Sequence, residues 1–177
     1  MDAWKITTPL PPASMASIRR ESRAAKPPAL LLACGNSMRE DDGVGLRIAE
    51  AVQHLFPDSR LRIVAAQQFT PEMAGDLAAT DLVIFVDASA GDEPGGIRIR
   101  SLAACAESPD SHRLDPPALL AMAGKLCGHT PAHAFALTVG AGHLGYGAEL
   151  TGPVRQAIPR ACRLIGNLLH AFRGSQA

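Results

Sequence analysis

The sequence predicts an α/β fold, a mostly parallel twisted sheet of about five strands with helices on both faces and one edge strand antiparallel. Three observations predict it. Short, wholly apolar runs (Ala29–Ala33, Leu82–Val86, Ala134–Val139) suit strands buried on both faces. Amphipathic helical patterns alternate with them along the chain. The loops that follow these runs are rich in Gly and acids, as expected where an open sheet gathers ligands at the carboxyl ends of its strands.

In chain order, Ala29–Ala33 leads through Cys34-Gly35-Asn36-Ser37-Met38-Arg39-Glu40-Asp41-Asp42-Gly43 to a helix from Val44 to Phe56. Its apolar residues recur at Val44, Ile48, Ala51, Val52 and Leu55, and Pro57-Asp58 ends the pattern. Leu61–Ala66 alternates as a second strand, and Gln67-Gln68-Phe69 follows as a loop. Thr70-Pro71-Glu72 then starts a helix reaching about Thr80, with Thr70 as N-cap. Leu82–Val86 is the most strand-like stretch and ends in Asp87; Gly91–Gly96 reads as a turn, and Ile97–Arg100 as an edge strand with one wet face. Ser108–Arg113 is a polar loop, Asp115-Pro116 caps a helix through Cys127, and Ala134–Val139 ends in the Gly-rich Gly140–Gly147 loop. A last helix spans about Pro153 to Phe172.

Length and composition agree with one domain, residues 29–173, of the 177 in the chain. Residues 1–28, with Pro-rich ends and little periodicity, read as a disordered extension that starts at Met1 or Met15, and 174–177 as a tail. Lys plus Arg equals Asp plus Glu, 17 against 17, and aromatic residues make up 4%. That balance argues against nucleic acid or an anionic membrane as partner. Four scattered cysteines without a C-x-x-C pair, no membrane-length apolar run and no secretory h-region predict a cytoplasmic protein with reduced thiols.

Residues just past strand ends should converge on one crevice. The first strand delivers Glu40-Asp41-Asp42, the third Asp87, the loop before the Asp115 helix His112, and the last strand Gly140–Gly147. Two carboxylates and an imidazole from three loops suit a borderline divalent ion such as nickel, zinc or manganese, and three protein ligands leave positions open for substrate. Each residue has a plainer role as well. Asp41 or Asp42 can cap a helix, Asp87 can bond its own backbone in a turn, and His112 can be solvated. His54, His129, His133 and His170 read as structural, and His143, in the last Gly-rich loop, as an exposed loop residue with the crevice within reach as the alternative. There is no G-x-S-x-G, no H-E-x-x-H, no Walker A loop and no complete G-x-G-x-x-G; Cys34 reads as a small packing residue.

Gly35-Asn36-Ser37-Met38-Arg39-Glu40-Asp41-Asp42-Gly43-Val44-Gly45 resembles the G-N-x-L-x-x-D-D-G-x-G signature of nickel–iron hydrogenase maturation endopeptidases. The likeness continues through Thr70-Pro71-Glu72, Val86-Asp87-Ala88 and Ser111-His112-Arg113-Leu114-Asp115-Pro116, and covers residues 29–172. It implies a three-layer, phosphorylase/hydrolase-like sheet and an enzyme that removes a C-terminal peptide from the hydrogenase large-subunit precursor once nickel is inserted. It implies no cofactor of the enzyme's own: nickel comes with the substrate, and zinc or cadmium could take its place in vitro. Carried over by position, the metal and catalytic trio is Asp42, Asp87 and His112, with Gly35, Asn36, Asp41 and Gly43 supporting the loop. Strand-end placement alone does not choose between Asp41 and Asp42. In the family pattern the second acid is the ligand and the first orients the loop. The chain departs from the family after strand two, where Gln67-Gln68-Phe69-Thr70 replaces an acid followed by Gly-Gly-Thr. Two other functions compete with proteolysis. One is a non-catalytic nickel-dependent checkpoint for the same precursor; the other is a metal-dependent phosphoryl-transfer enzyme, disfavoured by the lack of a phosphate-cradling loop.

Overall fold

The computed structural model describes residues 29–57, 60–104 and 114–174. Five strands, β1 (Ala29–Cys34), β2 (Leu61–Ala66), β3 (Leu82–Ser89), β4 (Ile97–Ser101) and β5 (His133–Gly140), form one sheet in the order β2-β1-β3-β5-β4. The first four in that order run parallel, and β4 closes the edge antiparallel to β5. From β1 the chain moves outward to β2 and then back across to β3, so the order reverses between β1 and β3. That is where an open α/β sheet leaves a crevice.

The helices are α1 (Val44–Leu55), α2 (Ala74–Ala78), α3 (Pro116–Cys127) and α4 (Gly152–Gly174). β1 is an interior strand between β2 and β3; all six of its residues are buried, and they alternate between two cores. Leu31 and Ala33 meet Val44, Ile48 and Val52 of α1 and Val154, Ala161 and Ile165 of α4. Leu30 and Leu32 face the other way, onto Met73 and Leu77 around α2 and Leu119 and Ala123 of α3. The expected three layers are therefore present. Among the described residues no helix is long and apolar enough to cross a membrane.

Several boundaries differ from the sequence reading for physical reasons. β3 does not end at Asp87: pairing with β5 carries it on through Asp87↔Thr138, Ala88↔Val139 and Ser89↔Gly140. The helix after Thr70 opens as a 3-10 turn, Pro71–Met73, and its α-helical part stops at Ala78. Thr80 is buried instead, with its hydroxyl donating to the Leu77 carbonyl at 3.1 Å. Thr70 has the extended backbone of an N-cap but makes no side-chain cap bond. Its hydroxyl bonds the Glu72 carboxylate, which lowers the Glu72 pKa. Asp115 does cap α3, accepting the Ala118 N–H at 2.8 Å. α4 carries Pro159 on its exposed side, and its apolar face continues past it. The expected N-terminal extension (1–28), Asp58 and Ser59, the whole Ser108–Arg113 loop (within 105–113) and the C-terminal residues 175–177 lie outside the described residues.

Candidate functional site

The site begins with how tightly the chain turns after β1. Gly35 has φ +148°, and a Cβ there would lie 2.0 Å from the Asp42 carbonyl oxygen, so only glycine lets the loop close on itself. Asn36 then organises the turn. Its side-chain oxygen accepts the Met38 N–H at 2.9 Å, its carbonyl accepts the Arg39 N–H at 3.0 Å, and its own N–H donates to Asp42 Oδ2 at 2.9 Å. Glu40 takes a left-handed φ of +48°, a conformation that a non-glycine residue holds only where its surroundings enforce it.

The three acids do not cap α1, contrary to their plainest reading. Glu40–Gly43 forms a 3-10 turn that leads into the helix without a side-chain cap bond. Two of the three carboxylates are committed to the Gly142–Thr151 segment instead. Glu40 Oε2 accepts the Gly145 N–H at 3.0 Å. Asp41 is fully buried: its Oδ2 accepts the N–H groups of Gly142 (2.9 Å) and His143 (3.0 Å) and the Thr151 hydroxyl (2.9 Å), while Oδ1 accepts the Thr151 N–H at 2.7 Å. Burial by itself would raise the Asp41 pKa. The donors from His143, Thr151 and Gly142 together outweigh it and hold the carboxyl below its ordinary value. With four donors on two oxygens, Asp41 has nothing left for a metal. Its bonds tie the Glu40–Gly43 turn to Gly142, His143 and Thr151.

Backbone bonds complete the junction between the two loops. Glu40 N–H donates to the Gly147 carbonyl (2.8 Å), Gly147 N–H to the Met38 carbonyl (3.0 Å), and Arg39 Nη2 to the Leu144 carbonyl (3.0 Å). Asp42, next in the turn, is half-buried; beyond Asn36, no hydrogen bond among the described residues reaches its carboxylate. The Glu40–Gly43 turn packs against β3. How closely is shown by Gly45 in the first turn of α1, where a Cβ would lie 2.2 Å from the Cys34 carbonyl oxygen and 2.9 Å from that of Val86. The helix start therefore sits directly on the ends of β1 and β3, at the crevice.

Asp87 is one residue past Val86, which pairs with Ala33. It is half-buried, and its Oδ1 accepts the N–H of Ala88 at 2.8 Å. The backbone bond expected of a turn residue is thus made from inside a strand. Strand alternation puts Asp87 on the side of Phe85, the α2–α3 face. α3 ends near the start of β5, so its first turn lies at the carboxyl end of the sheet on that face. His112, the third predicted ligand, precedes Pro116 by four positions and lies outside the described residues. Among the described residues no three His, Cys, Asp or Glu side chains are grouped to hold a metal. The structure thus packs the turn that carries Asp42 against β3, the strand that carries Asp87, and turns the Asp41 carboxylate away onto Gly142, His143 and Thr151.

At the neighbouring strand end, Gln67 and Gln68 are exposed, and the Gln67 carbonyl accepts from Cys34 Sγ at 3.2 Å. Phe69 turns inward, edge-on to Phe85 with ring centroids 5.4 Å apart. His143 is exposed, as expected, and serves through its backbone. Sequence reasoning missed Thr151. A Thr-Gly-Pro start to a helix could have flagged it as a cap, but nothing in the sequence links its hydroxyl to a carboxylate 110 residues away.

No family model matches the sequence, and no curated protein matches it. Solved structures do. The hydrogenase maturating endopeptidase HybD from E. coli is 26% identical, covering 83% of this chain and 93% of its own, with a TM-score of 0.64. The [NiFe] hydrogenase maturation protease HycI from Thermococcus kodakarensis KOD1 is 24% identical, with 83% and 95% covered and a TM-score of 0.66. An endopeptidase from Escherichia coli solved in solution is 26% identical, with 77% and 88% covered and a TM-score of 0.62. The family that the Gly35–Gly45 segment resembles is thus the family whose solved structures this chain matches in fold along most of its length: the nickel–iron hydrogenase maturation proteases.

Proposed function

We propose that the protein is a cytoplasmic endopeptidase that removes a C-terminal peptide from the nickel-loaded precursor of a nickel–iron hydrogenase large subunit. The observation that supports this reading is the difference between two adjacent acids: Asp41 accepts four hydrogen bonds from Gly142, His143 and Thr151, whereas among the described residues the Asp42 carboxylate accepts only the Asn36 N–H, in a turn packed on the strand that carries Asp87. In the proposed scheme Asp42, Asp87 and His112 bind the nickel that arrives in the substrate. The ion polarises the scissile carbonyl or lowers the pKa of a bound water. Without a loaded precursor the constellation is incomplete, which gives selectivity for substrate that already contains its metal.

A checkpoint that binds the loaded precursor without cutting it remains the second reading, favoured by the exposed amides Gln67 and Gln68. Neither side chain can serve as a general base. Mass spectrometry of precursor incubated with the protein separates the two: a shortened precursor supports the protease, and binding without loss of mass supports the checkpoint. Within the protease reading, Asp42→Ala and His112→Ala keep the fold and stop cleavage. Full processing by both variants would remove the site assignment.

A further inference from the structure

The longest helix carries an unusual distribution of charge. α4 has Arg155, Arg160, Arg163 and Arg173 and no Asp or Glu over 23 residues, in a chain whose formal net charge is zero. At 100° per residue these four arginines and His170 fall on one side of the helix, and all five are exposed. The opposite side (Val154, Ala157, Ala161, Ile165, Leu169, Phe172) is buried on the sheet. Among the described residues none of the four guanidinium groups makes an ion pair. Cations near a helix C-terminus are favoured by the helix dipole, which accounts for Arg173 and His170. It does not account for Arg155, Arg160 and Arg163.

The second half of the stripe borders a groove of about 710 Å³ between the end of α1 and α4. Phe56, Gly166 and Leu169 give it an apolar floor, while Arg163, His170 and Arg173 stand at its rim. The Phe56 ring lies so close to Gly166 that a Cβ there would come within 2.8 Å of it. Because α4 starts beside Asp41 at one end of the sheet and Phe172 meets His133 edge-on at the other, the groove is remote from the crevice. Arg163 to Arg173 lie about 18–33 Å along the helix from Thr151.

We propose that this groove is an exosite for an acidic segment of the protein substrate, one that presents carboxylates around an apolar side chain. The proposal rests on the protease or checkpoint reading for the identity of the partner. Charge selects the occupant. Residues 1–28 of the same chain hold five Lys or Arg against two Asp or Glu, and so would be repelled. An interfacial membrane helix needs a free apolar face, and that of α4 is already buried. No aromatic side chain is exposed on the stripe to stack nucleic-acid bases. Guanidinium groups over an apolar floor suit carboxylates bidentately and give the contact its orientation.

The test uses the full chain and a fluorescent peptide of glutamates flanking leucine, read by anisotropy and independent of any cleavage. Binding should weaken steeply with added salt. R155Q/R160Q/R163Q/R173Q should lose about 10-fold or more in affinity at low salt, and the matching four-Lys variant should keep most of it. With nickel-loaded precursor, the Gln variant should raise KM and spare kcat. Equal peptide affinity in the wild type and the Gln variant would overturn the exosite. So would binding of a single-stranded oligonucleotide or of phosphatidylserine vesicles where the peptide does not bind. Failure of cleavage with peptide binding intact would count against the protease reading alone.

Discussion

Two loops leave adjacent parallel strands at the same edge of the sheet, and they are held in opposite ways. The Gly35–Gly43 loop after β1 is fixed by polar bonds to a partner segment more than a hundred residues later, with buried Asp41 as their centre. The Gln67–Thr70 loop after β2 has Phe69 edge-on to Phe85 and two local bonds, from Cys34 Sγ to the Gln67 carbonyl and from the Met73 N–H to the Thr70 carbonyl, and leaves its side-chain amides in solvent. Directional bonds to an ionised group fix the backbone to within a fraction of an ångström, which is what the proposed pairing of the Asp42 carboxylate with that of Asp87 requires. An apolar anchor fixes where a loop lies but not how its polar groups point. The first loop is therefore held as the proposed chemistry requires, and the second keeps its side-chain amides free to turn.

The sharpest way to break this contrast is Asp41→Ala. It removes the acceptor for four donors, three of them backbone N–H groups, and should cost about 3–5 kcal/mol in chemical denaturation. Asp42→Ala, one residue on, should change stability by less than about 1 kcal/mol while abolishing cleavage. If the two variants were equally stable, Asp41 would not be the centre of the junction. Next in size, Phe69→Ala should cost about 2–3 kcal/mol, as a half-buried ring leaves a partial cavity. Cleavage at saturating substrate should survive it, because no polar contact at the crevice depends on the ring.

Acid should expose the same difference. The Asp41 carboxyl is held below its ordinary value when folded, so its contribution is complete above the unfolded pKa of about 3.9 and is lost as pH falls through the lower folded value. Asp41→Asn should flatten stability against pH in that acid range, whereas the Phe69 variant should keep the wild-type slope. The smallest effect is expected at Gln67→Ala and Gln68→Ala, within about 0.5 kcal/mol in thermal or denaturant melts. A larger loss would show that the second loop is held by its amides after all.

How far the sequence revealed all this follows the same division. The strands and helices were legible because each carries its own periodicity, from the continuous Leu82–Val86 run to the spacing along α4. Asp115 as the cap of α3 was legible because a cap and the N–H that donates to it are three residues apart. The fate of Asp41 was not derivable from local pattern, since its donors belong to Gly142, His143 and Thr151 and only the fold brings them near. Strand-end placement gave both acids the same standing; the resemblance favoured Asp42, and the hydrogen bonds give the physical reason Asp41 is unsuited. The extension of β3 past Asp87 was hidden for a similar reason. Asp87 looks like a strand terminator until its partner on β5, Thr138, is known.

The central claim is that Asp42 and Asp87, with His112, read a metal that the substrate brings. The most direct measurement is the intact mass of nickel-loaded and nickel-free large-subunit precursor after incubation with the unaltered protein. The account predicts that only the loaded precursor loses its C-terminal peptide. Equal shortening of the nickel-free precursor would contradict it.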